Sequence, residues 1–353
     1  MPPTIYLVDG HALAYRTYFA LMRSSSSGFT TSKGEPTAGV FGFTSVLLRI
    51  LEQEKPDYIA VAFDTGKTFR DELYPAYKGT RAKMPEDLQL QIERIRQLVD
   101  ALNIPRLELD GYEADDVLGS VARYAVEQGL GVKIITGDRD LLQLVDERII
   151  VNLPGKSLAE ARDYLPEDVV AYLGVRPDQV VDYKALVGDN SDNIPGVTGI
   201  GEKTAISLLQ SYDTLEGIYA HLDELSPAVR SKLETGSEQA ALSRTLAKII
   251  TDLPVELDLE QARPQHFESA PVEAIFRELE FRTLMGRLQT LMKSYGIVSQ
   301  AKSSEPFKGQ QLALFAEERP IIQVSSAATG EIQAHIVNTP EMLSELLRRL
   351  EKA

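Results

Sequence analysis

The sequence predicts an α/β fold whose sheet is parallel, followed by an all-helical subdomain. Two observations predict it. Over the first 150 residues short apolar runs alternate with amphipathic segments, the pattern of strands joined by crossover helices. From about Asp163 to Ser299 the pattern becomes helical almost throughout, with Pro and Gly between short segments.

The elements follow in order. Thr4–Val8, Tyr58–Phe63, Val132–Thr136 and Arg148–Leu153 read as buried strands. Between them, Val40, Phe43, Leu47 and Ile50 recur at helical spacing, as do Leu88, Ile92, Ile95, Val99 and Leu102, so both segments are core-facing helices. These considerations set a first domain at 1–162 and a helical one at 163–299. Residues 300–330 are polar and irregular, as in a linker. Beyond them Ile332–Val337 reads as a strand, Thr339 as an N-cap, and Leu343, Leu346, Leu347 and Leu350 as one helical face. One strand and one helix cannot bury that face, so 331–353 is expected to be the truncated start of another domain. Ser24–Ser27 marks a loop expected to be mobile.

Composition narrows the chemistry. The chain has no cysteine and four scattered histidines, His11, His221, His266 and His335, which excludes disulfides, thiolate metal sites and a Cys nucleophile. With no secretory leader and no long apolar run, a cytoplasmic protein without a membrane partner is expected, and a monomer is assumed. The formal charge of −15 argues against a polyanionic partner unless local basic surfaces exist.

Three strands end in acid: Asp9 follows Val8, Asp64 follows Phe63, and Asp138 and Asp140 follow Thr136. The carboxyl ends of parallel strands form the ligand crevice of such sheets, so these acids should converge. Glu113, Asp115 and Asp116 open a predicted helix, and Asp189 and Asp192 have near-turn spacing in Gly188–Asn193. Nine clustered carboxylates repel unless hard cations bridge them, and oxygen-only ligation favours Mg²⁺ or Mn²⁺. Two such ions support in-line phosphoryl displacement. Each acid taken singly could equally be a helix cap or turn residue.

Residues 66–85 reverse the global charge, with Lys67, Arg70, Lys78, Arg81 and Lys83 against Asp71 and Glu72. Phe69, Tyr74 and Tyr77 are interleaved, the mixture of cations and rings that suits single-stranded nucleic acid. The stretch lacks a clean periodic stripe and should project from the core. Pro195–Lys203 reads as a glycine-containing hairpin before a helix, where Gly199 and Gly201 allow close backbone approach and Lys203 adds a phosphate contact.

VDGHALAYRTYFA, FDTGKTFRDELYPAYKGTR, GYEADD, TGDRDLLQLV and GDNSDNIPGVTGIGEKTA together, in this order over residues 4 to about 290, resemble the 5′ nuclease (flap endonuclease) family. The form resembled is the N-terminal 5′→3′ exonuclease domain of bacterial DNA polymerase I. The resemblance implies a PIN-like, Rossmann-like nuclease core followed by a helix-hairpin-helix (H3TH) subdomain. It implies metal-dependent cleavage at 5′ flaps, nicks and RNA primers on DNA, within a polymerase that continues into a 3′→5′ exonuclease-like domain. Asp9, Asp64, Glu113 and Asp115 would surround one metal, Asp138, Asp140, Asp189 and Asp192 a second, and Asp116 would act directly or through water. Segment 66–85 would form an arch, with Lys78 and Arg81 catalytic and Lys67, Phe69, Arg70 and Tyr77 also on DNA. The hairpin would hold duplex and a K⁺ ion. His11 and the Ser24–Ser27 insertion depart from the commonest polymerase I pattern and should touch no ligand.

In the polar linker, Gln311, Leu312, Leu314 and Phe315 resemble the short peptide that binds the bacterial sliding clamp. Two other readings stay open. A PIN-like RNase would share the acids without needing the hairpin, and a non-catalytic DNA-binding module would gain nothing from clustered negative charge.

Overall fold

The structure is a computed structural model that describes residues 2–24, 29–154, 161–255 and 257–297. Residues 25–28, the linker with Gln311, Leu312, Leu314 and Phe315, and the expected strand and helix of 331–353 lie outside the described residues.

In chain order the elements are β1 (Thr4–Asp9), α1 (Gly10–Ser24), α2 (Ala38–Arg49), β2 (Tyr58–Ala62), α3 (Phe69–Leu73), α4 (Glu86–Ala101), β3 (Arg106–Leu107) and α5 (Ala114–Glu127). There follow β4 (Gly131–Ile135), β5 (Ile149–Leu153), β6 (Arg162–Tyr164), α6 (Pro166–Leu173), α7 (Val180–Val187), α8 (Glu202–Tyr212) and α9 (Leu215–Ala220). The last are α10 (Pro227–Thr235), α11 (Ser237–Ala247), α12 (Ser269–Glu278) and α13 (Arg282–Ser294).

The sheet runs β3-β2-β1-β4-β5-β6, parallel but for β6, which pairs antiparallel at the edge. Val8 of the central strand stands opposite Val61 of β2 and Ile135 of β4. Alternate side chains of β1 serve two cores. Ile5 and Leu7 pack with Val117, Leu118 and Val121 of α5, while Tyr6 and Val8 pack with α1, α2 and α4. Coverage on both faces explains the uninterrupted apolar runs by which the four long strands are read. β3 and β6, two and three residues long, carry no period and have no counterpart in the sequence reading.

Helices α6–α11 form the expected helical part, and their core around Val180, Leu186, Leu209 and Ile218 is continuous with the α5 face of the sheet. The boundary at 299 needs correction. Every residue of α2 except Arg49 is buried, so this helix needs cover on more than one side. Helices α12 and α13 provide it by packing back on the α/β core, with Phe281 between Phe41 (ring centroids 5.5 Å) and Phe276 (5.8 Å). Arg287 fastens α13 to Glu52 at 2.6 Å.

Candidate active site

Asp9 closes β1 and is buried, its carboxylate accepting from Ala12 N (2.9 Å) and Thr136 Oγ1 (2.8 Å). Asp64, just past β2, accepts from Ala114 N at 2.8 Å, which ties β2 to the start of α5. There Glu113 is the N-cap residue and Asp115 lies in the first turn. Asp138 and Asp140 occupy the turn after β4, Asp138 accepting from the Asp140 N–H at 2.9 Å.

Asp189 and Asp192 come from the helical half, on a loop closed by paired backbone bonds between Asp189 and Ile194 (2.9 and 2.8 Å). Gly188 (φ +79°) and Gly196 (φ +63°) bound it, and a Cβ at either would lie within 2.5 Å of the opposing backbone. Two glycines are therefore required for the loop to cross itself. Asp9, Asp64, Glu113, Asp115, Asp138, Asp140 and Asp189 all line one cleft of about 1660 Å³, together with Lys78, Arg81 and Lys184.

The electrostatics are those of crowded anions. Burial, then repulsion from Asp64 and Asp138, pushes Asp9 up to about 7 against its hydrogen bonds. Burial and Asp138 likewise push Asp140 to about 7, and burial with Asp138, Asp9 and Glu113 holds Asp115 well above the ordinary carboxylate range. Cations relieve part of this. Lys78 Nζ lies 2.6 Å from Glu113, Arg81 Nε lies 3.1 Å from Asp192, and Lys184 bridges Asp140 and Asp189, the latter at 2.7 Å. At Asp189 burial is opposed by the charge and hydrogen bond of Lys184 and by the hydroxyl and N–H of Ser191, which together bring it down to about 2. In this arrangement no three carboxylates among the described residues enclose one point. The donor set is nonetheless that of a hard divalent ion, with oxygen donors and excess negative charge.

Several expected roles are corrected. Asp116 is fully buried and does not line the cleft; both its oxygens bond to Arg70, at 2.6 and 2.8 Å. Its spacing to Glu113 is that of a helix cap, and it accepts from the Glu113 N–H at 3.1 Å. Arg70, expected on DNA, is buried inside the protein, and Tyr77 is buried with its hydroxyl toward Glu113 (3.2 Å) and Asp192 (3.3 Å). Phe69 is half-buried against Tyr112 and also outside the cleft lining, while Lys67 is exposed.

The basic segment therefore does not simply project. It contains α3, and its middle is bound down by Lys78 N to Asp192 O (2.9 Å) and Asn193 Nδ2 to Ala76 O (2.7 Å). His11 does touch an expected ligand, Nδ1 accepting from the Asp64 N–H at 3.2 Å, beside that carboxylate at 3.3 Å. Lys184 is a cleft residue the sequence reading missed; a lysine on the largely apolar α7, five residues before Asp189, was the available signal.

At the hairpin, Gly199 and Gly201 are exposed, Lys203 is exposed in the first turn of α8, and a Cβ on Gly201 would meet nothing within 4 Å. Gly201 is thus not demanded by the protein's own packing. Lys232 Nζ donates to Gly199 O at 2.9 Å, an ammonium on one of the hairpin carbonyls expected to receive K⁺.

Residues 4–174 match the family described as 5′-3′ exonuclease, N-terminal resolvase-like domain, and 175–270 the 5′-3′ exonuclease, C-terminal SAM fold. The chain is 44% identical to DNA polymerase I of Chloroflexus aurantiacus over 99% of its own length, and 44% identical to that of Bacillus subtilis over 80%. It spans 38% and 32% of those two proteins. Its fold is similar to the bacteriophage T5 flap endonuclease in a complex with DNA and metal ions (TM-score 0.56, 22% identity, 83% of this chain and 99% of that one). It is also similar to the catalytic core of Rad2 in complex with DNA substrate (TM-score 0.53, 14% identity, 83% of this chain and 92% of that one). Two adjoining family matches over 4–270, on a sheet and helical half that share one acid-lined cleft, carry the assignment: the chain belongs to the 5′-3′ exonuclease family.

Proposed function

We propose that the chain hydrolyses DNA phosphodiesters as a 5′→3′ exonuclease and structure-specific flap endonuclease, acting as the N-terminal part of a DNA polymerase I in primer removal and repair. The observation that carries this is the meeting of seven carboxylates from both halves of the chain with Lys78 and Arg81 in one cleft. Asp9, Asp64, Glu113 and Asp115 would hold one divalent ion, and Asp138, Asp140, Asp189 and Asp192 a second, Mg²⁺ or Mn²⁺. When bound, such ions supply Lewis acidity toward phosphate and water.

The protein's own residues then orient the substrate. Lys78 and Arg81 stand at the rim of the acids, where they hold the phosphate to be cut, while Lys67 and Lys83 extend the basic surface toward a single-stranded 5′ end. Gly199, Gly201 and Lys203 present backbone N–H groups and one cation to duplex phosphates, which positions DNA without reading sequence. A K⁺ ion at the hairpin would have to displace Lys232 from Gly199 O. The wider partners proposed are 5′-flapped and nicked duplex, RNA primer on DNA, and, through Gln311, Leu312, Leu314 and Phe315, the bacterial sliding clamp.

The test compares flapped duplex, nicked duplex and single-stranded RNA of equal length with Mg²⁺. Cleavage of the duplexes near the junction is expected, abolished by EDTA and by Asp140→Ala. Preferential cutting of RNA would move the chain to the RNase reading, and no cutting of any substrate would leave a binding module. Clamp binding is tested by capture of the clamp with residues 300–330, lost in Leu314→Ala/Phe315→Ala.

A further inference from the structure

Arg70 is among the largest fully buried side chains, and a buried guanidinium must have its donors met. Nη1 and Nη2 grip the two oxygens of Asp116 at 2.6 and 2.8 Å, Nε donates to Leu246 O at 2.8 Å, and Nη2 also reaches Lys248 O at 2.7 Å. Asp116 accepts two further bonds, from Ile250 N at 2.8 Å and Glu113 N at 3.1 Å. Four donors thus surround a carboxylate with no exposed surface; at this helix start the cleft is lined instead by Glu113 and Asp115, and Glu113 Oε2 stands 3.6 Å from Arg70 Nη1.

The bonds join three parts of the chain. Arg70 sits in α3, at the root of the segment bearing Lys78 and Arg81. Asp116 sits in the first turn of α5, beside the cleft acids. Leu246 to Ile250 ends α11 and leaves the helical half. A two-pronged guanidinium–carboxylate bond fixes both distance and orientation, which a lysine at position 70 could not do.

We infer that Asp116, despite its place in the acidic run, holds no metal: with Arg70 it forms a positioning pair that sets Lys78 and Arg81 against the acids of the cleft. This rests on the nuclease reading above. Removing one partner strands a buried charge, whereas removing both with apolar side chains of similar volume is tolerated far better.

The experiment measures Mn²⁺ binding to the purified chain by calorimetry and electron paramagnetic resonance, alongside turnover on flapped DNA. Asp140→Asn lowers Mn²⁺ affinity by about tenfold or more, as a lost ligand should, while Asp116→Asn leaves it unchanged. Asp116→Leu loses turnover, and Arg70→Met/Asp116→Leu regains roughly tenfold of it, because no charge is then stranded. Arg70→Lys, which keeps the charge and needs no apolar core substitution, lowers kcat more than it raises KM and keeps Mn²⁺ affinity, so the inference stays testable if the leucine variant does not fold. Loss of Mn²⁺ affinity in Asp116→Asn equal to that in Asp140→Asn overturns the inference and leaves the nuclease reading standing. A wild-type chain that binds no Mn²⁺ overturns the nuclease reading and the inference with it.

Discussion

Asp9 and Asp140 are each pushed up to about 7, so each takes up a proton in the folded chain at a higher pH than in the unfolded one. A carboxylate raised on folding contributes stability that is full below its ordinary value near 4 and is lost as pH rises through about 7. The melting temperature in EDTA should therefore fall between pH 5 and pH 8. Millimolar Mg²⁺ should raise it, and more at pH 8, where the ligands are ionised and their repulsion is greatest. Scanning fluorimetry checks both, and a melting temperature in EDTA that is flat or rises over this range would contradict the account. Arg81 is the most exposed of the cations paired with the acids, its side chain 44% accessible. With Ca²⁺ in place of Mg²⁺, Arg81→Ala should weaken binding of flapped DNA and lower its salt slope by about one unit, without altering sequence preference. An unchanged slope would make Arg81 a bystander.

Helices show where a sequence speaks and where it is silent. The spacing of Val40 to Ile50 and of Leu88 to Leu102 identified α2 and α4, since an apolar stripe records that a face is covered. It does not record by what, so the return of α12 and α13 onto α2 was illegible, and these helices were assigned to the wrong half. The cleft acids were legible for a similar reason: strand ends and helix starts are places that a local pattern locates. The pair Glu113 and Asp116 reads two ways in sequence, because the spacing of a helix cap is also that of two ligands on one side of a helix. Lys184 pairs with Asp140 across 44 positions and Arg70 with Asp116 across 46, distances no local pattern spans. The docking of α13 carries its own prediction. Phe281 is fully buried between two rings, so Phe281→Ala should cost about 3–5 kcal/mol, read as a lower urea midpoint at unchanged slope. A loss below about 1 kcal/mol would mean the two helices do not complete the core.

A chain of net charge −15 must still bring phosphate into a cleft lined with carboxylates, and the placement of its cations indicates how. Lys78, Arg81 and Lys184 are each paired with an acid, so a phosphate must compete with carboxylates for their charge. Hard divalent ions bound to the same oxygens would free those side chains for a phosphate. The affinity for flapped DNA should accordingly be higher in Ca²⁺ than in EDTA, beyond the loss of repulsion, because the number of phosphates contacted by the protein's own cations rises. Counterion release makes that number measurable: log Kd against log salt should steepen by about two units in Ca²⁺ if Lys78 and Arg81 each take up one phosphate. In EDTA, Arg81→Ala should then leave the slope unaltered, since that side chain is held by Asp192, although it lowers the slope in Ca²⁺. Fluorescence anisotropy of a labelled flap from 50 to about 300 mM salt provides both slopes. Equal slopes in EDTA and Ca²⁺ would show that the cations do not change partners and that the charge of the cleft is fixed by the fold.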